Sequence, residues 1–514
     1  MQDRADNLAA ARERIRAAYS PELFGALADQ WAGLLRRHLQ TVEGGEGPVL
    51  NWEAPPENIA AAGNWLVRAS FYPDPHAEPP EIDELGRRFG EVVRTMLARG
   101  HNLHHPRYVG HQVPASIPIA ALFDAVGSAT NQVMAIYEMG PWATAVERAV
   151  IERIGKTLGL TPGTFAGLIT HGGSLANTTA LLTARNVALG ESWEQGLDVA
   201  AQSPALLVHP DVHYSITRTA GMLGLGTRSV VRVPLDDRRR MDPRQLDALI
   251  ARLKSDGRRI VAVVSCACAT PIGAFDPLVE ISAVCRMHGV WLHVDAAHGG
   301  AAAFSDRHQH LIAGIEQADS IVVDAHKMLF MPALCALVFY RNAAHRFEAF
   351  RQDAPYLFDP SAPGMAEYDS GMLTVECTKR AAAYGLWGVW SLFGPQLFAD
   401  LVDATFDLGQ QFHAMLRAAS DFEPLHEPQC NIVAFRYRPE RLRDADVKTI
   451  GELNLRIRRR IVESGKFYLV QANLNGGGAL RVTLINPLTT AEDLRELMEE
   501  IRRVGEDLSF VSGQ

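Results

Sequence analysis

The sequence predicts an α/β fold with a mostly parallel sheet, preceded by helices and followed by a smaller α+β unit. From about residue 140, short apolar runs alternate with helical segments, at 165–169, 205–208, 260–264, 290–294 and 321–323. The runs lack the polar alternation of a strand with one exposed face. Uninterrupted apolar strands are typical of a parallel sheet that helices cover on both faces.

The first hundred residues read as helices without a strand pattern. Residues 8–39 are amphipathic, a Gly-rich break follows at 43–48, and a second helical pattern covers 82–98 after the Pro-rich stretch 72–80. We expect this segment to lie against other parts of the protein and not to form a core of its own.

The last part of the chain has the pattern of a small α+β unit. After a long helical stretch come strand-like runs at 431–437, 467–471 and 480–485, with a helix at 451–464 and a final helix from Thr490. A chain of 514 residues is too long for one small core. The predicted domains are therefore 1–104, 105–385 and 386–514.

Composition excludes several classes of function. The net charge of −9 argues against nucleic acid binding, and no stretch approaches the roughly 18 to 20 apolar residues of a membrane span. The N-terminus has no apolar signal region, and six cysteines do not form a disulfide framework in so long a chain. We expect a cytoplasmic protein. Cys266 and Cys268 read as buried thiols, and no metal site is predicted, either there or in the His-rich segment 101–111.

Chemically useful residues follow each of the five apolar runs. The segments that follow them are His171-Gly172-Gly173-Ser174, His209 to His213, Cys266 to Thr270, Asp295, and Asp324-Ala325-His326-Lys327. In open α/β sheets, ligands bind beyond the carboxyl ends of the strands. The sequence therefore predicts a ligand site where these segments meet.

Three of these segments indicate a particular chemistry. The Gly-rich turn before a helix suits a phosphate, although a simple capped helix would have the same pattern. Asp295 ends a buried strand and needs a cationic partner, which a protonated pyridine nitrogen would supply; an Asp that caps the next helix is the alternative. Lys327 precedes apolar residues, so desolvation favours the neutral amine that forms a Schiff base, whereas a lysine reaching the surface would be inert.

Taken together, the motifs resemble those of the group II pyridoxal-phosphate-dependent amino-acid decarboxylases, which act on glutamate, cysteine sulfinate and aromatic amino acids. The similarity covers about residues 104–504. It consists of His105-Pro106-Arg107-Tyr108, Tyr137-Glu138-Met139-Gly140-Pro141, Gly172-Gly173-Ser174-Leu175-Ala176-Asn177, His213-Tyr214-Ser215-Ile216, Thr270-Pro271-Ile272-Gly273-Ala274-Phe275-Asp276, His293-Val294-Asp295-Ala296-Ala297 and Asp324-Ala325-His326-Lys327-Met328.

The resemblance implies a fold-type I enzyme that binds pyridoxal 5'-phosphate, has a mostly parallel seven-stranded sheet in its large domain, and forms a homodimer through the N-terminal helices. Lys327 matches the Schiff-base lysine and Asp295 the partner of the pyridine nitrogen. His213 matches the imidazole on one face of the ring and Ala297 the small residue on the other. The remaining cofactor contacts would be Gly173, Ser174 and His326 near the phosphate and Thr270 near the phenolic oxygen.

The resemblance also implies substrate and proton-transfer residues. Tyr356 matches the loop tyrosine that protonates Cα after carbon dioxide leaves, and Arg481 matches an arginine that holds substrate. His111 and Gln112 fall at the mouth of the cofactor pocket, as candidate substrate contacts. Two positions depart from the family pattern: Asp324 stands where asparagine is common, and His298 where an aromatic residue is common. We expect Asp324 to point away from the phosphate or to meet a cation.

The predicted reaction is therefore α-decarboxylation of an L-amino acid, with glutamate, aspartate or cysteine sulfinate as the leading class of substrate. Arg107 is the candidate cation for the distal acid group. The alternatives are another pyridoxal-phosphate lyase, a decarboxylation that ends in an aldehyde, and a non-catalytic protein of the same fold. Tyr356 favours plain decarboxylation over the aldehyde-forming reaction.

Overall fold

The computed structural model describes residues 2–68, 81–190, 192–350 and 366–510, in which five helices precede a region where helices and strands are mixed. The helices are α1 (Gln2–Ala18), α2 (Pro21–Glu43), α3 (Pro55–Arg68), α4 (Ile82–Arg99), α5 (Pro118–Ala129), α6 (Pro141–Thr157), α7 (Gly173–Leu189), α8 (Ser192–Gln195), α9 (Val199–Gln202), α10 (Ser215–Met222), α11 (Pro243–Ser255), α12 (Leu278–His288), α13 (Tyr384–Phe393), α14 (Gln396–Ala418), α15 (Val447–Ser464) and α16 (Ala491–Phe510). The strands are β1 (Val133–Met134), β2 (Ala166–Thr170), β3 (Pro204–Val208), β4 (Val230–Arg232), β5 (Arg259–Ala269), β6 (Ala274–Phe275), β7 (Leu292–Asp295), β8 (Ser320–Asp324), β9 (Ala336–Tyr340), β10 (Lys379–Arg380), β11 (Phe422–Pro424), β12 (Ile432–Tyr437), β13 (Val470–Leu474) and β14 (Gly477–Thr483). Short 3-10 helices lie at Tyr137–Met139, Thr227–Ser229, Gly299–Phe304, Gln309–Ile312, Ile315–Gln317, Ala343–Phe347, Ala366–Tyr368, Ser370–Met372 and Glu440–Leu442.

The chain divides into two compact units. The first comprises Met1–Val109, Leu455–Leu469 and Leu488–Gln514, and the second comprises Gly110–Asn454 and Val470–Pro487. Each unit thus contains segments that are far apart in the sequence. The three-domain division into 1–104, 105–385 and 386–514 stays a prediction.

In the first unit, the N-terminal segment is held by residues from near the end of the chain. The amide of Tyr468 donates to the carbonyl of Arg107 (3.3 Å), and the amide of Val109 donates to the carbonyl of Tyr468 (3.0 Å). The rings of Tyr108 and Tyr468 stack with their centroids 5.6 Å apart. These N-terminal residues therefore pack against late-sequence residues of the same unit.

The second unit is built on a sheet with the strand order β2-β9-β8-β7-β5-β3-β4, to which β6 adds beside β5. The neighbours β8/β7, β7/β5, β5/β3 and β3/β4 are parallel, and β9 is antiparallel to both β2 and β8. The mostly parallel sheet and its seven-strand path are confirmed, as are all five predicted strands. The sequence reading missed β4 and β9.

The strand directions place the functional segments at one edge of the sheet. Because β9 alone reverses direction on the seven-strand path, the carboxyl ends of β2, β3, β5, β7 and β8 point to the same edge. The strands themselves are almost completely buried apolar residues, as expected for a sheet with covered faces. The predicted convergence of the five segments therefore follows from strand direction.

A buried ion pair supports the strand that leads to the Gly-rich turn. Lys379 donates to both carboxylate oxygens of Glu147 (2.6 and 2.9 Å) and to the carbonyl of Ile169 in β2 (2.7 Å). The amide of Ile169 donates to Glu147 Oε1 (3.2 Å). A buried charge pair is tolerated only with such additional hydrogen bonds, which here fix the end of β2.

A four-stranded antiparallel sheet, β11-β12-β14-β13, also belongs to the second unit. The predicted strand 467–471 is shifted, because β13 begins only at Val470. Among the helices of the described residues, none combines the length and apolar character that crossing a bilayer requires.

Candidate active site

Side chains that follow the converging strands line one cavity of about 330 Å³ in the second unit, large enough for a small ligand. Its lining brings together most of the predicted site residues: Gln112, Gly173, Ser174, His213, Thr270, Asp295, Ala297, His326 and Lys327. In the part of the chain that the structure describes, His111 and Arg481 do not line it. Tyr356 lies outside the described residues.

Lys327 is held by a carboxylate from its own turn. Its Nζ lies 3.1 Å from Asp324 Oδ2, and its side chain is 21% exposed. Burial lowers the pKa of Lys327, but the negative charges of Asp324 and Asp295 outweigh burial and raise it above its usual value. The expectation of a neutral amine from apolar neighbours is therefore wrong, since those neighbours do not offset two nearby carboxylates.

Asp295 ends β7 with its carboxylate oriented by two donors. Asn177 Nδ2 donates to Oδ2 (3.0 Å), and the amide of Ala297 donates to Oδ1 (3.2 Å). Asn177 lies on α7 and is itself 2% exposed. A carboxylate held in this way lines the cavity without a cationic hydrogen-bond partner among the described residues, so it can pair with a cationic group of a ligand.

A chain of buried hydrogen bonds continues behind Asp295. Asn177 Oδ1 accepts from His293 Nε2 (3.0 Å), His293 Nδ1 accepts from the hydroxyl of Ser320 (2.8 Å), and that oxygen accepts from Trp291 Nε1 (2.9 Å). Burial lowers the pKa of His293 to about 4, so the ring is neutral. With these donors and acceptors, each side chain in the series has a hydrogen-bond partner. The series therefore fixes the orientation of the Asp295 carboxylate.

His213 is presented by the loop after β3. Its Nδ1 accepts from the hydroxyl (2.8 Å) and from the amide (3.3 Å) of Ser215, which leaves the proton of the neutral ring on Nε2. Burial is the main cause that lowers the pKa of His213; Asp295 opposes this and Lys327 adds to it. The lining therefore has a neutral imidazole whose flat face can pack on a ligand ring.

The Gly-rich turn leads directly into α7. Gly172 has φ = 113°, a conformation that residues with a side chain rarely adopt, and α7 starts at the next residue. The N-terminal end of α7, with Gly173 and Ser174, lines the cavity and can hold an anion through backbone amides and the helix dipole. The geometry therefore suits a phosphate here.

Asp324 lies beside this turn. A Cβ atom added to Gly173 would come within 2.6 Å of Asp324 Oδ2, so only glycine leaves room for the carboxylate. The expectation that Asp324 meets a cation is confirmed by Lys327. The carboxylate of Asp324 also lies beside the turn at Gly173, so of the two outcomes expected for Asp324 the contact with a cation is the one that is present.

His326 and Thr270 complete the lining near Lys327. His326 Nδ1 lies 2.8 Å from the carbonyl and 3.2 Å from the amide of Cys335, which leaves Nε2 toward Asp324 at 3.6 Å. Thr270 accepts a hydrogen bond at its carbonyl from Arg481 (2.9 Å). Arg481 is 6% exposed, and burial lowers its pKa to about 10, so it stays cationic.

Two histidines in the lining were not assigned a role from the sequence. His298, the departure from the family pattern, donates through Nε2 to Asn431 (2.9 Å), and burial lowers its pKa to about 3. His171 pairs through Nδ1 with Glu376 (2.5 Å). His171 belongs to the segment after β2 that was predicted to reach the site, whereas its partner Glu376 is 205 residues away in sequence and no local pattern indicates the pair.

The thiols and Arg107 behave as ordinary structural groups. Cys266 and Cys268 are buried free thiols, as predicted, and burial raises the pKa of both well above the usual value. In the described residues, no group of three or more His, Cys, Asp or Glu side chains could hold a metal ion. Arg107, the candidate cation for a distal acid, forms ion pairs within the first unit with Glu496 and Asp493.

The donor set fits pyridoxal phosphate. The lining offers a primary amine at Lys327 for the aldehyde, a carboxylate at Asp295 for the pyridine nitrogen, a neutral imidazole at His213 for the ring, and the N-terminal turn of α7 for the phosphate. These four features come from separate strand ends. Their presence in one cavity matches the four functional parts of that one cofactor.

Comparison with known proteins agrees with this fit. A model of the pyridoxal-dependent decarboxylase conserved domain matches residues 73–438. The acidic amino acid decarboxylase of Homo sapiens is 29% identical over 470 residues, which are 90% of this chain and 87% of that protein. The aromatic-L-amino-acid decarboxylase of Bacillus atrophaeus is 29% identical over 409 residues, 80% of this chain and 83% of that protein. The crystal structure of mouse CSAD is similar with a TM-score of 0.83 and 26% identity, and the match covers 95% of this chain and all of that chain.

Proposed function

Because the chain belongs to the pyridoxal-dependent decarboxylase family and is therefore a pyridoxal-phosphate-dependent amino-acid decarboxylase, we propose that its substrate is an acidic L-amino acid. The observation that carries the chemistry is the cavity that joins Lys327, Asp295, His213 and the turn before α7. The acidic class is supported by the human relative, which is an acidic amino acid decarboxylase. The candidates are glutamate, aspartate and cysteine sulfinate.

The residues matched to the decarboxylase family each have a proposed role. Lys327 attaches the cofactor, Asp295 keeps its pyridine nitrogen protonated, and Gly173, Ser174 and His326 hold its phosphate. His213 and Ala297 contact the two ring faces, and Thr270 the phenolic oxygen. Once bound, pyridoxal phosphate accepts the electrons released when the α-carboxylate leaves as carbon dioxide. Tyr356 then supplies the proton at Cα.

Substrate recognition is proposed for polar groups at and near the cavity. Gln112 and His171 line it, and the contact with Glu376 holds the His171 ring at its wall. Arg481 reaches the cavity through the Thr270 carbonyl that it holds, so direct contact with the substrate, like that of His111, stays a prediction. An acidic substrate requires a donor for its distal carboxylate, and the side-chain amide of Gln112 in the lining can supply one.

A panel of acid and amide pairs tests the substrate class. We would measure release of carbon dioxide and identify the amine for glutamate against glutamine, aspartate against asparagine, cysteine sulfinate, and the aromatic amino acids. The amides are matched controls, because they keep size and lose charge. We expect kcat/KM at least about tenfold higher for one acid than for its amide, since an unpaired polar group is costly in a buried site. A clear preference for aromatic substrates contradicts the acidic class and leaves decarboxylation intact.

Tyr356→Phe tests which product the enzyme makes. Without the phenol, carbon dioxide release is expected to continue while protonation at Cα slows by about 10²-fold, the lower range for loss of a general acid. Part of the product then becomes aldehyde, measured together with the amine by mass spectrometry. Aldehyde as the main product of the unchanged enzyme would instead support the alternative, aldehyde-forming reaction.

We also propose a cytoplasmic homodimer. The six cysteines, all between residues 266 and 430, are free thiols, which fits a reducing compartment. Exposed apolar side chains on the N-terminal helices, including Leu8, Ile15 and Phe24, fit burial against a second copy. Light scattering of the purified full-length chain is expected to give twice the mass of 56.3 kDa. A fully active monomer contradicts the dimer.

A further inference from the structure

A buried carboxylate shares the cavity with the lysine that binds the cofactor. Asp324 ends β8, and its side chain is 2% exposed. Its Oδ2 is 3.1 Å from Lys327 Nζ and 3.6 Å from His326 Nε2, whereas its buried Oδ1 has no hydrogen-bond partner among the described residues. The strongest interaction of this carboxylate is therefore with Lys327.

The backbone fixes this pair in place. The amide of Asp324 donates to the carbonyl of Ala297 (3.1 Å), and the amide of Lys327 donates to the carbonyl of Asp324 (3.1 Å), closing a tight turn. Gly173 bounds the carboxylate on its other side. These contacts hold the main chain of Asp324 and Lys327 in the arrangement that brings the carboxylate to the amine.

Attachment of the cofactor at Lys327 needs the neutral amine. An ammonium must first give one proton to solvent. The amine then forms a C=N bond to the aldehyde carbon of the cofactor, the C=O bond breaks, and the oxygen leaves as water with the two remaining amine protons. A nearby carboxylate stabilises the ammonium and so opposes the first of these steps.

We propose that Asp324 is the counter-ion that keeps Lys327 protonated, and that this single carboxylate sets how fast and at what pH the enzyme takes up its cofactor. The inference rests on Lys327 being the cofactor-binding lysine of the proposed function. Asp324 acts through Lys327 and is a positioning residue.

Other groups also surround the lysine. Asp295, like Asp324, raises the pKa of Lys327, and the Cys268 thiol raises it further when ionised. His213 and His298 would oppose the ammonium if they were charged, but burial lowers the pKa of both rings. His326 Nε2 lies 3.6 Å from Oδ2 of Asp324, the same oxygen that contacts Lys327. Asp324 is the carboxylate for which a direct contact with Lys327 is present, so its removal should change the lysine most.

The test is the rate of covalent cofactor uptake by the full-length chain after the cofactor has been removed. Uptake at Lys327 is read by borohydride reduction and peptide mass spectrometry, from about pH 6 to about pH 10. In Asp324→Asn, uptake near neutral pH is expected to be about tenfold faster or more, and its pH midpoint about one unit lower, because one unit is tenfold in neutral amine. Decarboxylation is not measured in this test, so its result does not depend on whether the proposed reaction is correct.

Two probes separate the lysine from the phosphate. Pyridoxal lacks the phosphate, so if Asp324 acts through Lys327, uptake of pyridoxal and of pyridoxal phosphate should accelerate alike in Asp324→Asn. A gain for pyridoxal phosphate alone would show that the carboxylate repels the phosphate and would overturn the proposal. Unchanged uptake of both would overturn it as well.

Control variants guard against general effects. Asp319→Asn removes a carboxylate just before β8 that binds Leu292 and Arg341 outside the cavity, and it should leave uptake unchanged. If Asp324→Asn does not fold, acetic anhydride labelling of Lys327 in the unmodified chain decides the question. We expect half of Lys327 to be labelled only at a pH above about 10.4, the ordinary pKa of lysine. A labelling midpoint below that pH contradicts the proposal.

Discussion

Lys327→Ala is expected to lower kcat by about 10⁴-fold or more, the scale seen when a covalent catalytic residue is removed. The variant loses the amine that attaches the cofactor. It also loses the exchange in which the amino group of the substrate displaces that amine from the cofactor. Covalent labelling after borohydride reduction should disappear with the activity. The measurement is steady-state release of carbon dioxide, with the cofactor supplied in excess so that weaker binding does not limit the rate.

A stability control separates this effect from misfolding. Lys327→Ala leaves the Asp324 carboxylate in a largely buried place without its main partner, which costs about 1–3 kcal/mol of unfolding free energy. The double variant Lys327→Ala/Asp324→Asn should recover most of that stability and none of the activity. Lys156→Ala, which removes an exposed lysine paired with Glu152 on α6, should change neither. Activity within tenfold of the unmodified enzyme in Lys327→Ala would refute the assignment of this lysine.

The sheet and the location of the site follow from the sequence because both depend on short-range patterns. Apolar runs predict the strands, and the direction shared by β2, β3, β5, β7 and β8 brings the segments that follow them to one edge. Asp295 and Lys327 could be placed in one cavity on that basis alone. The missed strand β9 did not matter for this conclusion, since its reversal leaves the other strands aligned.

Interactions between distant positions could not be predicted in the same way. Asn177 reaches both Asp295 and His293, residues 118 and 116 positions away, and no local pattern signals either hydrogen bond. The charge of Lys327 was misjudged for a related reason. Apolar neighbours in sequence suggested a neutral amine, but the pKa is raised by carboxylates that the fold brings near it. Local composition describes the chain near a residue, and electrostatics depends on what surrounds it in space.

The orientation of Asp295 makes it the second residue whose change should have a large effect. Its two oxygens accept from different donors, Asn177 and the amide of Ala297. An asparagine has one acceptor oxygen and cannot satisfy both donors. More importantly, a neutral amide does not stabilise a protonated pyridine nitrogen, which burial in the cavity would otherwise leave uncharged. Asp295→Asn therefore removes the charge with little change in size.

We expect Asp295→Asn to lower kcat by about 10²–10³-fold, the usual cost of removing one fixed group that stabilises charge in a transition state. Covalent attachment at Lys327 should persist, because the aldehyde end of the cofactor does not depend on this carboxylate. The absorbance of the bound cofactor should report loss of the proton from its ring. Asp319→Asn serves again as the matched control and should keep full activity. If Asp295→Asn retained nearly full kcat with the same cofactor absorbance, the carboxylate would be a structural cap of the following turn, and the electron sink would need another partner.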